Sequence, residues 1–276
     1  MKRTIKLVIY YFLYQLLFTV VVMFGAVLVE ATKSGGDLNE LMSVLQSGKI
    51  ARDPIVVALG TLLAALMMLW HLFHYKYITF STAYLKKKNL AVLLVCIPFI
   101  YSLMYLGGLM MEAVNLPNLL EDTFMDMSHS IWGIISIALV APVLEECLFR
   151  GAIEGHLLTL WKGKPWAAIV VSGLIFGIIH LNPAQMLYAS IIGIVLGWLR
   201  WRTGSVYPGI IGHILNNSLA VVFMRLYGAD GSFEESFGES SQLWFAVAYA
   251  VVLIACFVFL HKKTAPSGNF SEVSDV

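Results

Sequence analysis

Long apolar runs that are almost free of charge set the tightest limit on what this chain can fold into. A run of about 18 residues or more crosses a hydrocarbon layer roughly 30 Å thick as one helix, and lipid admits only helices or closed barrels as spanning structures. Such runs are Leu7–Val29, Pro54–His74, Leu90–Met111 and Leu243–Leu260, and four further apolar runs occur at Ile131 onward, Trp166–Leu181, Met186–Leu199 and Val206–Tyr227. The sequence therefore predicts an all-α integral membrane protein, a bundle of about eight transmembrane helices.

Composition agrees with a membrane protein and argues against a nucleic-acid partner. Hydrophobic residues make up 59% of the chain and charged residues 13%, whereas a soluble domain carries about a quarter charged residues. A formal net charge of +1 supplies no basic surface for nucleic acid. Cys96, Cys147 and Cys256 lie inside apolar runs without the spacing of a disulfide framework or a metal site, so we interpret them as buried hydrophobic residues.

The basic residues of the loops predict the orientation of the bundle. Counted over alternate loops, thirteen Lys and Arg residues fall on one side, and only Lys33, Lys49, Arg52 and Arg225 on the other. Because cytoplasmic loops are enriched in Lys and Arg, we predict that both termini are cytoplasmic in a multi-pass protein of the cell membrane. The first apolar run follows basic residues as in a signal peptide, but it exceeds the usual length of about 7–15 residues, so we interpret it as an uncleaved anchor.

The chain is predicted to form one polytopic membrane domain, residues 1–276, whose polar end, residues 264–276, is a disordered cytoplasmic tail. The loop between the first two runs carries Leu38, Met42 and Leu45 at helical spacing. This pattern predicts a short amphipathic helix on the outer surface of the membrane. An irregular loop is the alternative.

Ionisable side chains within the predicted spans are the candidate functional residues. Each costs at least about 2–3 kcal/mol in lipid and normally faces a partner or a cavity. Only Glu145 and Glu146 among the acidic residues lie well inside an apolar run, and Arg150 is the one internal base. Only His180 and His213 among the histidines are mid-span. A lone buried histidine is usually a packing residue, but this combination favours a functional site.

Helical spacing sorts the candidates into pairs. Glu146 and Arg150 lie four residues apart with the acid first, the favourable order for an ion pair, and we interpret them as structural support. Glu145 points about 100° away, which leaves it to face a cavity. His213 and Asn217 are also four residues apart, so both can face that cavity from the seventh span.

The predicted depths of these groups agree as well. We expect the fourth helix to continue past its charged residues toward Trp161, which places Glu145 roughly 20 Å from the inner end of that helix. His180 lies about 21 Å from the inner end of the fifth span. The pair on the seventh span lies roughly 10 to 17 Å from its inner end, so all of these groups can converge.

The chemistry that suits these groups is hydrolysis of a peptide bond. A carboxylate and a histidine can together hold and deprotonate a water molecule, and a second histidine and an amide can donate hydrogen bonds to a developing oxyanion. Other intramembrane protease designs fit less well. The chain has no H-E-x-x-H motif, no aspartate within a predicted span and no G-x-S-G pattern around Ser172.

Three short motifs lie on separate predicted spans in a fixed order. They are E-E-x-x-x-R at Glu145–Arg150, F-x-x-x-H at Phe176–His180 and H-x-x-x-N at His213–Asn217. Together they resemble the CAAX protease and bacteriocin-processing family of intramembrane proteases, which includes the type II CAAX prenyl endopeptidases. The resemblance covers roughly Ile131–Tyr227, and the other spans carry no diagnostic residue.

The resemblance implies a core of catalytic helices, residues 131–227, around a cavity that opens toward the cytoplasm. It implies that Glu145 is the general base, that His180 helps to position the water, and that His213 and Asn217 stabilise the oxyanion. No cofactor is needed for this mechanism. The alternative is a zinc-dependent protease that holds its metal with Glu145, His180 and His213.

The implied partners are the lipid bilayer and a peptide or membrane-anchored protein substrate. Bacterial members of the family resembled here are linked to peptide processing, bacteriocin self-immunity and maturation of membrane-anchored precursors. No residue of this chain selects a prenylated substrate over an unmodified one. A function of another class also fits the polar cavity: a non-enzymatic bacteriocin-immunity or transport protein that binds a peptide or moves a proton.

Overall fold

The computed structural model describes residues 1–78, 89–228 and 239–266, and these ranges contain helices and loops but no strand. The helices are α1 Lys2–Lys33, α2 Leu38–Gln46, α3 Lys49–Arg52, α4 Pro54–His74, α5 Leu90–Val114, α6 Glu121–Ser128, α7 Ile131–Leu160, α8 Pro165–Ile178, α9 Pro183–Thr203, α10 Tyr207–Tyr227 and α11 Glu239–Lys263. The prediction of an all-α membrane protein is confirmed.

Seven of the described helices are long and apolar enough to cross a membrane, namely α1, α4, α5, α7, α9, α10 and α11. The shorter apolar helix α8 is the eighth of the predicted set, so the predicted bundle of about eight helices is confirmed. The orientation stays a prediction, and reporter fusions after Lys164 and Arg202 are expected to report the cytoplasm. The basic cluster Lys86–Lys88, the acidic loop around Glu234 and most of the predicted tail lie outside the described residues.

Two aspartates begin the helices that follow α1. The Asp37 carboxylate accepts hydrogen bonds from the backbone N–H groups of Asn39 and Glu40, which satisfies the open donors at the start of α2. Asp53 does the same for α4, where Pro54 occupies the first helical position and needs no N–H donor there. The predicted short helix is present as α2, and its place on the outer surface of the membrane stays a prediction.

Helix α7 is continuous through the charged motif, as predicted, but it contains two π-helical segments, Ser136–Val140 and Glu146–Glu154. In the first segment the Ala141 N–H donates to the carbonyl of Ser136, five residues back. The next donor in that register would be Pro142, which has no N–H. The Ile137 carbonyl is therefore left without a backbone donor in its own helix. π-Bulges of this kind occur frequently at functional sites.

Helix α8 ends at Ile178, three residues before the predicted end of the fifth span at Leu181. Hydrophobicity alone predicted a helix that is too long at this end. Pro183 disfavours helical geometry in the residue before it, and hydrophobicity does not report this effect. Asn182 is extended there and fully buried. Its side chain accepts a hydrogen bond from the Leu119 N–H and donates one to Asn118, so the loop before α6 anchors this turn.

The hairpin of α8 and α9 is held together by close backbone approach. A Cβ added to Gly177 would lie 2.0 Å from the Ser190 hydroxyl oxygen, and one added to Gly173 would lie 2.6 Å from the Ile194 side chain. Small residues permit such contacts between membrane helices. The hairpin packs on α7, which brings the histidine at the end of α8 to the motif on α7.

Candidate active site

A buried ion pair lies at the centre of α7. Both Glu146 and Arg150 are fully buried, and Arg150 Nε lies 3.4 Å from Glu146 Oε2. This is the pairing that the four-residue spacing predicts. Each charge compensates the other where water is excluded, and breaking such a pair by removing one partner is strongly destabilising.

His213 of α10 lies between two carboxylates of α7. Its Nδ1 is 3.1 Å from Glu146 Oε1, and its Nε2 is 3.6 Å from Glu145 Oε2. An ionised carboxylate can only accept, so the ring donates Nδ1–H to Glu146. This bond fixes the orientation of the imidazole and directs Nε2 toward Glu145. The sequence placed Glu146 only with Arg150 and missed its contact with His213.

Phe176, the first residue of the F-x-x-x-H motif, connects the motifs through its ring. The Arg150 guanidinium carbon lies 4.3 Å from the ring centroid, a cation–π contact. The His180 and His213 rings lie edge-on, with centroids 5.0 and 5.7 Å away. Phe176 is 1% exposed. The motif contained this residue, but its role as a common wall for both histidines was not predicted.

His180 is held by its own helix end. Its Nδ1 lies 2.8 Å from the Phe176 carbonyl oxygen, which can only accept, so Nδ1 carries a proton. In the neutral ring Nε2 therefore keeps its lone pair and can bind a water proton. In the described part of the chain no hydrogen bond or ion pair joins His180 to Glu145. Their cooperation stays a prediction.

Asn217 projects from α10 one turn beyond His213. Its Nδ2 donates to the Ile137 carbonyl at 2.9 Å, the carbonyl that Pro142 leaves without a backbone donor. A side-chain amide has two N–H donors, so one of them remains for a ligand. Asn217 is half-buried, whereas its neighbour Asn216 is buried.

Glu154 extends the Glu146–Arg150 pair into a charged stripe of α7, which consists of Glu146, Arg150 and Glu154. Glu154 lies four residues beyond Arg150 and is fully buried, within electrostatic reach of Arg150 and Arg200. Arg200 Nε donates to the Arg150 carbonyl at 3.4 Å. The apolar runs predicted only Glu145, Glu146 and Arg150 as charged residues inside a span, so the burial of Glu154 was not predicted. The repeated spacing of four residues from Glu146 to Glu154 was the available signal.

Glycines on the neighbouring helices make room for this stripe. A Cβ added to Gly197 would lie 2.5 Å from Glu154 Oε2, and one added to Gly209 would lie 2.5 Å from Glu146 Oε2. Larger residues at these two positions of α9 and α10 would displace the carboxylates of α7. The close approach of these helices is therefore part of how the site is built.

The zinc alternative finds two of its three ligands side by side. Glu145 Oε2 and His213 Nε2 are 3.6 Å apart, a separation that two ligands of one metal can have. The described residues contain no group of three or more His, Cys, Asp or Glu side chains arranged to hold a metal. Among the described residues, the arrangement thus provides only part of a three-ligand zinc site.

Comparison with known proteins supports the same region. Residues 127–219 match the family model described as "Type II CAAX prenyl endopeptidase Rce1-like", and this range contains all three motifs. The chain is also 33% identical over 89 residues to the Bacillus subtilis (strain 168) protein named "Putative membrane peptidase YdiL". No solved structure matches the chain.

These matches confirm the resemblance that the motifs predict, and the match to the family model lies in residues 127–219 of a multi-pass membrane protein. The aligned segment spans 32% of this chain and 36% of the relative. The family evidence therefore concerns the helices that carry the motifs, α7 to α10.

Proposed function

We propose that this protein is an intramembrane endopeptidase in which a carboxylate and a histidine activate the attacking water. The observation that supports it most strongly is the position of His213 between Glu145 and Glu146, inside the segment that matches the endopeptidase family. The two adjacent carboxylates thereby have different roles, because Glu146 orients His213 and Glu145 keeps part of its side chain exposed.

Glu145 is the proposed general base. Its side chain keeps 12% exposure, whereas the Glu146 side chain has 0%, so a water can reach Glu145 alone. Glu145 accepts a proton from this water as the oxygen attacks the carbonyl carbon of the peptide bond. The same proton then passes to the leaving amide nitrogen as the C–N bond breaks. Nε2 of His180 accepts a hydrogen bond from the water and orients it.

His213 and Asn217 are the proposed oxyanion donors. With Nδ1–H donated to Glu146, the His213 ring presents Nε2, 3.6 Å from Glu145 Oε2, and Nε2 can donate only when it also carries a proton. Nε2–H and the second amide N–H of Asn217 then stabilise the developing negative charge on the carbonyl oxygen. The zinc-dependent alternative assigns Glu145, His180 and His213 to a metal that would polarise the carbonyl instead.

The substrate class that fits is a peptide or a membrane-anchored protein cleaved near the cytoplasmic side. The supporting argument is the predicted orientation of the bundle together with the cavity that the family resemblance implies to be open toward the cytoplasm. Comparing cleavage of farnesylated and unmodified forms of one peptide tests whether the substrate is prenylated.

The test compares the wild type with Glu145→Gln by terminal-peptide profiling of membranes. The amide keeps the shape but cannot take a proton from water, so new peptide termini should disappear while the abundance of the protein is unchanged. Glu40→Gln on α2 is the matched control and should cleave normally. Identical termini in wild type and Glu145→Gln would overturn the general base. Retained peptide binding without any cleavage would favour the non-enzymatic immunity or transport function.

A further inference from the structure

Three consecutive hydrogen bonds run from Tyr188 through Asn216 and the Asn217 amide to the Ile137 carbonyl, and we call them the hydrogen-bond chain. The Tyr188 hydroxyl of α9 donates to Asn216 Oδ1 at 2.9 Å, and Asn216 Nδ2 donates to Asn217 Oδ1 at 3.0 Å. Asn217 Nδ2 then donates to the Ile137 carbonyl of α7 at 2.9 Å. The chain crosses three helices and involves two residues, Tyr188 and Asn216, that the mechanism above does not use.

The direction of this chain is fixed by its last acceptor. A backbone carbonyl can only accept, so the Asn217 group beside Ile137 must be the NH₂. Asn217 Oδ1 then faces Asn216, which must donate, and Asn216 Oδ1 in turn requires a donor from Tyr188. Because Pro142 cannot donate to the Ile137 carbonyl, this carbonyl is open to accept the hydrogen bond from Asn217.

The tyrosine that begins the chain is held in place by α5. A Cβ added to Gly107 would lie 2.7 Å from the Tyr188 Cε2 atom, so the ring occupies the space that a larger residue would fill. Asn216 is 8% exposed, and neither it nor Tyr188 is among the groups placed around the water. Both act on the site through Asn217.

We propose that Tyr188 and Asn216 are positioning residues that keep the nitrogen of the Asn217 amide, rather than its oxygen, directed toward the substrate oxyanion. The inference rests on the proposed function. An amide that rotates by half a turn replaces a donor by an acceptor, which repels an oxyanion. Hydrogen bonds in a chain also polarise one another, so the chain makes the remaining Asn217 N–H a stronger donor.

The kinetic test uses an internally quenched peptide in farnesylated and unmodified forms with reconstituted protein. Tyr188→Phe should lower kcat by about three- to tenfold, the range of one net hydrogen bond, with KM unchanged. Asn216→Asp should lower kcat further, because a carboxylate cannot donate to Asn217. Tyr227→Phe, an exposed tyrosine at the end of the same α10 helix, is the matched control and should match the wild type.

A double-mutant cycle separates positioning from general destabilisation. In the Asn217→Ala background, Tyr188→Phe should cause no further loss of kcat, because the amide it orients is gone. In the wild-type background the loss should be present. Equal losses in both backgrounds would show a structural effect of Tyr188 and would overturn the inference.

A second measurement does not depend on cleavage. The protein has eight asparagines, so labelling with ¹⁵N-asparagine gives few side-chain NH₂ signals. The signal that is missing from the spectrum of Asn217→Ala is that of Asn217. Tyr188→Phe should shift that signal and Tyr227→Phe should not. An unshifted signal overturns the inference alone. Absence of cleavage by the wild type with both peptides and in membrane profiling overturns the proposed function and this inference with it.

Discussion

Two buried histidines of this protein lie in opposite surroundings. His213 is 5% exposed and has a carboxylate at each ring nitrogen. His71, near the end of α4, is 6% exposed and lies among aromatic rings. Its Nδ1 is 2.9 Å from the Tyr14 hydroxyl, and its ring stacks on Tyr77 with an interplanar angle of 9°. The exposed fractions are nearly equal, so burial alone does not distinguish the two histidines.

The partners of each histidine make the difference. Carboxylates on both sides of an imidazole can exchange a proton with it or share one. Tyrosine rings around an imidazole supply packing and one hydrogen bond. We therefore propose a chemical role for His213, and we interpret the cluster of His71 with Tyr10, Tyr14 and Tyr77 as packing of α1 on α4. The following experiments test this distinction, from the largest expected effect to the smallest.

Removing Arg150, the guanidinium that lies between Glu146 and Glu154 on α7, should have the largest effect on the fold. Arg150→Ala leaves Glu146 buried without its charge partner, at a cost of about 3–5 kcal/mol in the free energy of unfolding. Yield and resistance to SDS-induced unfolding should both fall. Arg225→Ala at the exposed end of α10 is the control and should change neither. A normal yield of Arg150→Ala would mean that the charged stripe does not support the site.

Exchanging the two histidines for glutamine separates their roles directly. His213→Gln loses the ring donor that Glu146 aligns, so kcat should fall by about 10²–10³, the loss typical of an oxyanion donor. His71→Gln should keep the wild-type kcat. The measurement is turnover of the quenched peptide per folded protein. Equal losses in both variants would remove the distinction between the two surroundings.

Much of this arrangement was predictable because it depends on spacing within one helix. The bounds of α4 agree with the apolar run Pro54–His74, and the Glu146–Arg150 pair follows from four-residue periodicity. What was missed depends on contacts between helices. Glu146 reaches His213 across 67 positions of sequence, and no periodicity within one helix reports such a contact. The burial of His71 was missed for the same reason, because only His180 and His213 were predicted to lie mid-span.

Backbone irregularity was the other unpredictable feature. Pro142 is visible in the sequence, but the π-helical register that leaves the Ile137 carbonyl open depends on how α7 packs. Likewise, the end of α8 depends on the anchoring of Asn182 by a distant loop. The positions of the catalytic candidates were thus predictable, while the groups that orient them were not.

Asn217 provides a test of the metal-free mechanism. If Asn217 is a second oxyanion donor, Asn217→Ala should lower kcat by about 10²–10³, and purified protein should contain no stoichiometric zinc and keep its activity after prolonged chelation. With a metal polarising the carbonyl, the same substitution should cost much less. Elemental analysis beside the turnover number decides between them. Bound zinc together with an almost unaffected variant would overturn the metal-free mechanism.

The smallest expected effect concerns the aromatic surroundings of His71. Tyr14→Phe removes the hydrogen bond to Nδ1 and leaves a buried ring nitrogen without this partner, at a cost of about 1 kcal/mol in the free energy of unfolding. Adding His71→Phe removes the orphaned nitrogen as well, and replacing both partners by apolar groups can be nearly neutral. The double variant should therefore recover part of the stability lost by Tyr14→Phe. SDS-induced unfolding measures this recovery, and kcat should stay at the wild-type value throughout. A loss of kcat in Tyr14→Phe comparable to that of Tyr188→Phe would mean that the packing of α1 on α4 is coupled to the site, and that the two histidines differ less than their neighbours suggest.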